Sequence, residues 1–146
     1  MSKIAKLLSL MVTISILACC YTSVNAMSVI TSNISVNAGA NGYSSQYCIQ
    51  TSTQTQCYIR LDSFQFSGYS AGYMPTGKTI AARLYMIGDD GNLYSASGIA
   101  SFPSTGSKTV NFSSGYGGAG QAFRLKTNST FNCAYSATFK WKSEPN

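Results

Sequence analysis

Alternating apolar and polar side chains over residues 132–142 constrain the fold more than any other feature of this chain. The apolar side of the alternation carries Cys133, Tyr135, Ala137, Phe139 and Trp141, and the other side is mostly polar. A period of two is that of a β-strand with one buried face and one solvent face. An antiparallel sheet with one apolar face has to bury it, so this segment predicts a sheet packed on a second sheet.

Two further segments carry strong strand patterns. Residues 78–87 alternate in the same way, and the turn sequence GDDGN at 88–92 then leads into Leu93 and Tyr94, which predicts a hairpin. Residues 57–66 change face partway, because Phe64 and Phe66 fall on the opposite side from the preceding apolar positions. A β-bulge near Asp62 and Ser63 would bring both sets to one face.

Weaker strand patterns bring the expected total to about eight. They lie at residues 27–36, 45–50, 108–113 and 122–126. The chain is rich in Ser, Thr, Gly, Asn and Tyr and poor in Leu and Glu, a composition that disfavours long helices. The predicted fold is therefore all-β, a two-sheet antiparallel β-sandwich forming a single domain over residues 27–146.

The first 26 residues have the pattern of a secretory signal peptide. Lys3 and Lys6 precede an apolar run at residues 7–20, and small side chains at Val24 and Ala26 form a cleavage site. The run is shorter than the roughly 20 residues that a membrane anchor needs. These features predict export, cleavage after Ala26 and a secreted protein, with lipoprotein anchoring at Cys19 as the alternative.

Cleavage after Ala26 leaves an odd number of cysteines, Cys48, Cys57 and Cys133. Export permits disulfides. A hairpin over residues 47–59 would place Cys48 opposite Cys57, and this pair is the predicted disulfide. Cys57 with Cys133 is the rival pairing. In the preferred pairing Cys133 is expected to be a buried core thiol on the face of Phe139 and Trp141.

The composition excludes several classes of function. The chain contains no His, which removes the usual general base and most zinc sites. Ten Lys and Arg, two of them within residues 1–26, and four Asp and Glu leave a formal charge of 8 − 4 = +4 after cleavage. The basic residues are scattered, unlike those of a nucleic-acid-binding surface. Asp89 and Asp90 are expected in a hairpin turn rather than a metal site. No enzymatic activity, cofactor or metal is predicted.

Gly-Tyr pairs recur along the chain and supply the predicted ligand-binding residues, Tyr43, Tyr69, Tyr73 and Tyr116. A tyrosine beside a loop glycine presents a large ring and a polar tip with few rotatable bonds, so it stacks on a sugar or packs on a protein at low entropic cost. The preferred function is a secreted, non-enzymatic β-sandwich that binds a glycan or cell-surface partner through these loops.

Two alternatives come from other classes of protein. The chain is basic, so it also fits a small secreted toxin or bacteriocin acting on membranes or cell envelopes, with Lys140, Trp141 and Lys142 as its working surface. A structural or adhesive matrix component is the other, in which strand edges associate and the odd cysteine crosslinks chains. The sequence leaves the oligomeric state open.

Overall fold

The computed structural model of the protein describes residues 28–145, so the predicted signal peptide lies outside the described residues. These residues contain no helix. Ten strands follow one another: β1 (Ile30–Val36), β2 (Gly42–Tyr43), β3 (Cys48–Ile49), β4 (Gln56–Phe66), β5 (Ile80–Ile87), β6 (Leu93–Ser95), β7 (Ala100–Phe102), β8 (Gly106–Asn111), β9 (Ala122–Ser129) and β10 (Tyr135–Lys142).

The strands form two antiparallel sheets that pack on each other. The first sheet has the order β1-β10-β4-β8. The second has the order β2-β9-β5-β6, with β3 also paired to β9 and β7 also paired to β5. The predicted all-β fold of two packed antiparallel sheets is confirmed, although with ten strands rather than about eight. The short strands β2 and β7 were not predicted, because two or three residues carry no measurable period.

Aromatic and aliphatic side chains from both sheets fill the space between them. The ring of Phe102 on β7 meets that of Phe139 on β10, with centroids 6.3 Å apart. A buried polar contact also joins the sheets, since the hydroxyls of Thr127 on β9 and Tyr135 on β10 lie 3.1 Å apart. Burial in this core raises the pKa of Tyr135 to about 12, although the Thr127 hydrogen bond lowers it in part.

The predicted bulge in β4 is present. Thr138 pairs with Ser63 and Phe139 pairs with Leu61, so Asp62 is the extra residue on β4. The bulge lets Leu61 and Phe64 both point into the core, where each is buried. The Asp62 carboxylate remains on the outer face and forms two ion pairs. Arg60 Nε lies 2.5 Å from Oδ1, and Lys140 Nζ lies 3.1 Å from Oδ2.

The cysteines differ from the prediction. The expected hairpin over residues 47–59 does not form, because Cys48 pairs with Phe123 in the second sheet whereas Cys57 pairs with Val110 in the first. All three cysteines of residues 28–145 are free, so the predicted Cys48–Cys57 disulfide is not found. Cys133 is half-buried in the loop before β10, where its Sγ lies 3.4 Å from the Ser67 carbonyl oxygen, and is not a fully buried core thiol.

Iodoacetamide is expected to label Cys133 before Cys48 and Cys57 in the folded protein. Burial raises the pKa of Cys48, and it raises the pKa of Cys57 to about 12, so these thiols hold little of the reactive thiolate at pH 8. Mass spectrometry of the labelled peptides, with and without urea, measures this order. Simultaneous labelling of all three in native buffer would contradict the burial, and Cys48 and Cys57 resisting the reagent even in urea would contradict free thiols.

Candidate functional site

The four tyrosines of the Gly-Tyr pairs lie in three different parts of the molecule. Tyr69 and Tyr73 lie in the loop before β5, and Tyr116 lies in the loop before β9. The two loops are at opposite ends of the sandwich, because the last residue of β5 pairs with the first of β9. Tyr43 is on β2, opposite Lys126 in the second sheet. The sequence left open whether these residues meet, and in the structure the four do not lie together on one surface.

Tyr69 and Tyr73 form a stacked pair on the surface. Their ring centroids are 5.3 Å apart and their planes differ by 2°. The residues Tyr69 and Tyr73 are 42% and 48% exposed, respectively. The edge-to-face contact of Tyr69 with Phe131, at 5.5 Å, holds the pair against the end of the core. Such an aromatic surface, fixed on one side and open to solvent on the other, suits stacking of a flat ligand.

The local sequence explains why these two rings meet. Tyr69 N donates to Phe66 O and Tyr73 N donates to Ser70 O, each at 3.1 Å, so the loop makes the same four-residue turn twice. Gly68 and Gly72 take the third position of these turns, with φ of +80° and +75°. A type II turn requires this left-handed conformation, which glycine adopts without strain. The repeat places a tyrosine at the end of each turn.

A groove of about 330 Å³ lies beside this loop on the outer face of the first sheet. Two rows of short polar side chains cross three strands there, as the pairings Asn33–Thr138–Ser63 and Ser35–Ser136–Gln65 show. Ala71, between the two tyrosines in the chain, completes the lining, and the tyrosines themselves lie beside the groove rather than in its lining. Gln65 Nε2 donates to the Tyr69 carbonyl oxygen at 3.3 Å, which ties the sheet to the loop.

The chemistry of this groove is neutral and rich in hydrogen-bonding groups. Its lining contains hydroxyl and amide side chains, with Ile34, Phe64, Ala71 and Ala137 between them, and no charged residue. Thr138 Oγ1 donates to Asn33 Oδ1 at 2.8 Å, so part of the row is already ordered. Hydroxyls and amides both donate and accept, which is the complement of a saccharide hydroxyl. We call this groove with Tyr69 and Tyr73 the tyrosine groove.

Tyr43 belongs to a second cluster, which sequence reasoning missed. Its ring meets that of Tyr85 edge-to-face at 6.5 Å, and Lys126 Nζ lies 5.6 Å from the Tyr43 centroid and 4.8 Å from the Tyr85 centroid. Lys126 Nζ also donates to the Tyr85 hydroxyl at 3.3 Å. The alternation in β5 places Tyr85 on the same side as Arg83. No local sequence pattern, however, predicts that β2, β5 and β9 bring Tyr43, Tyr85 and Lys126 together.

Lys126 remains charged in this cluster. Burial lowers the pKa of the Lys126 ammonium, but its hydrogen bond to Tyr85 and the nearby Tyr85 and Tyr43 phenols raise the pKa by more, so the net shift is upward. The ammonium between two ring faces also gains cation–π attraction, about 0.5–1 kcal/mol at an exposed site. The second sheet therefore carries a fixed positive charge on its outer face.

Tyr116 lies apart from the other three tyrosines and is partly covered by the core. It is half-buried and packs against the core at the opposite end from the tyrosine groove. Its loop is held by Gln54 N, which donates to the Gly117 carbonyl oxygen at 2.7 Å. Gly117 has φ of +88°, and a Cβ there would overlap the Gln54 carbonyl oxygen, so glycine is required.

The turn after β5 forms the predicted hairpin, and Asp90, one of its two acidic residues, bonds other residues of the same hairpin. Asp90 accepts hydrogen bonds from the Tyr94 hydroxyl at 2.6 Å and from Asn92 Nδ2 at 2.8 Å. Both bonds lower the pKa of Asp90, and the bond from Tyr94 has the larger effect. No group of three or more His, Cys, Asp or Glu side chains able to hold a metal ion occurs within the described residues.

The last strand carries the three residues of the toxin alternative, and the structure places Trp141 in the core. Trp141 is fully buried, and its Nε1 donates to Ser32 Oγ at 3.0 Å. Lys140 is paired with Asp62. Trp141 is therefore a core residue, and Lys140 and Lys142 have no exposed aromatic partner between them.

Residues 28–145 contain no helix of the length and apolarity needed to span a bilayer.

Comparisons with other proteins identify no relative from which a function could be transferred. No family model, curated protein or solved structure matches the chain.

Proposed function

We propose that this protein is a secreted, non-enzymatic carbohydrate-binding domain, and that the tyrosine groove is its ligand site. The observation that carries the proposal is the exposed, parallel Tyr69–Tyr73 stack beside a groove lined by neutral hydroxyl and amide groups. Aromatic rings offer the apolar faces of a sugar a flat surface, while hydroxyls and amides offer hydrogen bonds to its edges.

The neutral lining favours an uncharged glycan over other ligands. A charged ligand buried in the groove would lack a partner of opposite sign, which costs free energy. An apolar ligand would leave the polar rows without the water they bond in the free protein. A chain of neutral sugars avoids both costs.

Replacing Tyr73 with Ala is expected to weaken binding of the recognised neutral polysaccharide by about tenfold or more, because the outer ring of the stack is lost. Titration calorimetry against soluble β-glucan, xylan, mannan and dextran identifies the ligand and measures the change. Tyr47→Ala is the matched control, since Tyr47 is a 58% exposed tyrosine outside the groove, and it should leave the affinity unchanged.

A second variant keeps the test informative if loop substitutions disturb folding. Ser136→Leu fills the middle of the groove from a solvent-facing position of β10, outside the loop that carries the stack. Both Tyr73→Ala and Ser136→Leu should abolish or strongly weaken binding while retaining the native circular dichroism spectrum. Full affinity in both folded variants, or no binding of any neutral polysaccharide, would exclude the tyrosine groove as a glycan site.

A further inference from the structure

The outer face of the second sheet carries basic side chains that have no acidic partner. Arg83, Arg124 and Lys126 share this face with Tyr85 and Asn128, in the pairings Arg83–Lys126 and Tyr85–Arg124. Both ion pairs within residues 28–145 involve Asp62, which belongs to the other sheet. Three positive charges are therefore concentrated on this face, in a protein with only four acidic residues.

Hydrogen bonds to the backbone hold the two arginines in place. Arg83 Nε and Nη2 donate to the Ser97 carbonyl oxygen at 3.1 and 2.8 Å. Arg124 Nε donates to the Ser44 carbonyl oxygen at 2.9 Å, and its Nη2 bonds the same oxygen. With Lys126 fixed by Tyr85, all three cations lie against the sheet rather than projecting into solvent. A ligand that binds them pays little entropy for ordering the site.

A pocket of about 110 Å³ on this face is lined by Arg83 and Lys126, which are paired on neighbouring strands. Tyr85 and Asn128 add polar groups to it, and Ile99, which is 57% exposed, forms an apolar rim. The volume is several times the ~30 Å³ that a water molecule occupies in the liquid. It therefore has room for one carboxylate or sulfate group, with the basic residues Arg83 and Lys126 and the polar residues Tyr85 and Asn128 in its lining.

We propose that this pocket binds the carboxylate or sulfate substituent of an acidic polysaccharide, at a site separate from the tyrosine groove. Two cations satisfy an oxyanion through charge-assisted hydrogen bonds, the strongest kind available to it. The tyrosine rings and Ile99 provide apolar surface for the sugar that carries the oxyanion. This inference stands on the second sheet alone and does not depend on the proposed function of the groove.

A polysaccharide fits this surface better than an anionic membrane does. Electrostatic attraction to a bilayer is strongest for cations that project to the lipid headgroups. Here the guanidinium groups fold back onto carbonyl oxygens of neighbouring loop residues, and Lys126 Nζ lies against the rings of Tyr43 and Tyr85. A single extended chain approaches such recessed charges more closely than a flat lipid surface.

Binding is tested by titration calorimetry with dextran sulfate, polygalacturonate and uncharged dextran, using the unmodified protein and Tyr73→Ala. At least one of the two polyanions should bind, unaffected by Tyr73→Ala. Lys126→Met should weaken that binding by about tenfold or more, whereas Lys108→Met, the same charge change at an exposed position of the first sheet, should have a much smaller effect.

An isosteric pair of variants tests the site without removing any contact of Lys126. Asn128→Asp places a negative charge in the pocket and should weaken polyanion binding by about tenfold, while Asn37→Asp, in the exposed loop after β1, should not. If the pocket variants and their controls lost affinity for the polyanion equally, net charge alone would explain the loss, and the proposal would be overturned. Absence of polyanion binding, or binding only to phosphatidylserine vesicles, would overturn it as well.

Discussion

Replacing Trp141 with Ala is expected to lower the free energy of unfolding by about 3 to 5 kcal/mol. Trp141 is the single tryptophan of the chain, and it is fully buried between the sheets. Truncation removes its apolar area from the core and leaves a cavity that the two sheets are too closely packed to close. It also removes the donor to Ser32 Oγ, a buried hydroxyl.

Urea unfolding followed by circular dichroism measures this loss. Trp141→Phe keeps an aromatic ring and should cost about 1 to 2 kcal/mol, because it loses fewer atoms together with the hydrogen bond. Tyr47→Ala, an exposed aromatic truncation, should change stability by no more than about 0.5 kcal/mol. If Trp141→Ala were as stable as the unmodified protein but lost activity against anionic vesicles, the residue would act at a membrane, as the toxin alternative requires.

The fold was predictable wherever one strand contains enough residues to show its own period. In β10, Tyr135, Ala137, Phe139 and Trp141 are buried and every residue between them is not, as the alternation predicts. The bulge at Asp62 was predictable for the same reason, since only an extra residue reconciles the two halves of β4. Both features are local, and burial of one face is enough to fix them.

Features that depend on which distant strands pair were not predictable. The spacing of Cys48 and Cys57 is compatible with a hairpin, yet β3 pairs with β9, some 70 residues later in the chain. The tyrosine groove requires the registers of β1, β4 and β10 together, although the outward direction of Ser136 was apparent from alternation. The Tyr69–Tyr73 stack was predictable in part. Its repeated turn is local and appears in the sequence as two Gly-Tyr pairs four residues apart, but its contact with Phe131 depends on a distant part of the chain.

Raising the pH from 7 to 10.5 is expected to lower the free energy of unfolding by about 3 kcal/mol through Cys57 and Tyr135. Burial raises the pKa of Cys57 from 9.0 to about 12 and that of Tyr135 from 10.0 to about 12. Above pH 9 the unfolded chain releases these protons while the folded protein keeps them. The unfolded state then binds fewer protons, so stability present below pH 9 is lost progressively until about pH 12.

Cys57→Ala separates this effect from the titration of the remaining tyrosines and lysines. The variant is expected to be less stable at pH 7, because it leaves a small cavity, but to lose about 2 kcal/mol less than the unmodified protein between pH 7 and 10.5. Urea unfolding at both pH values, with a reducing agent present, gives the comparison. Identical losses in the two proteins would mean that Cys57 does not keep its proton in the folded state, and would place its thiol in contact with water or a cation instead of the core.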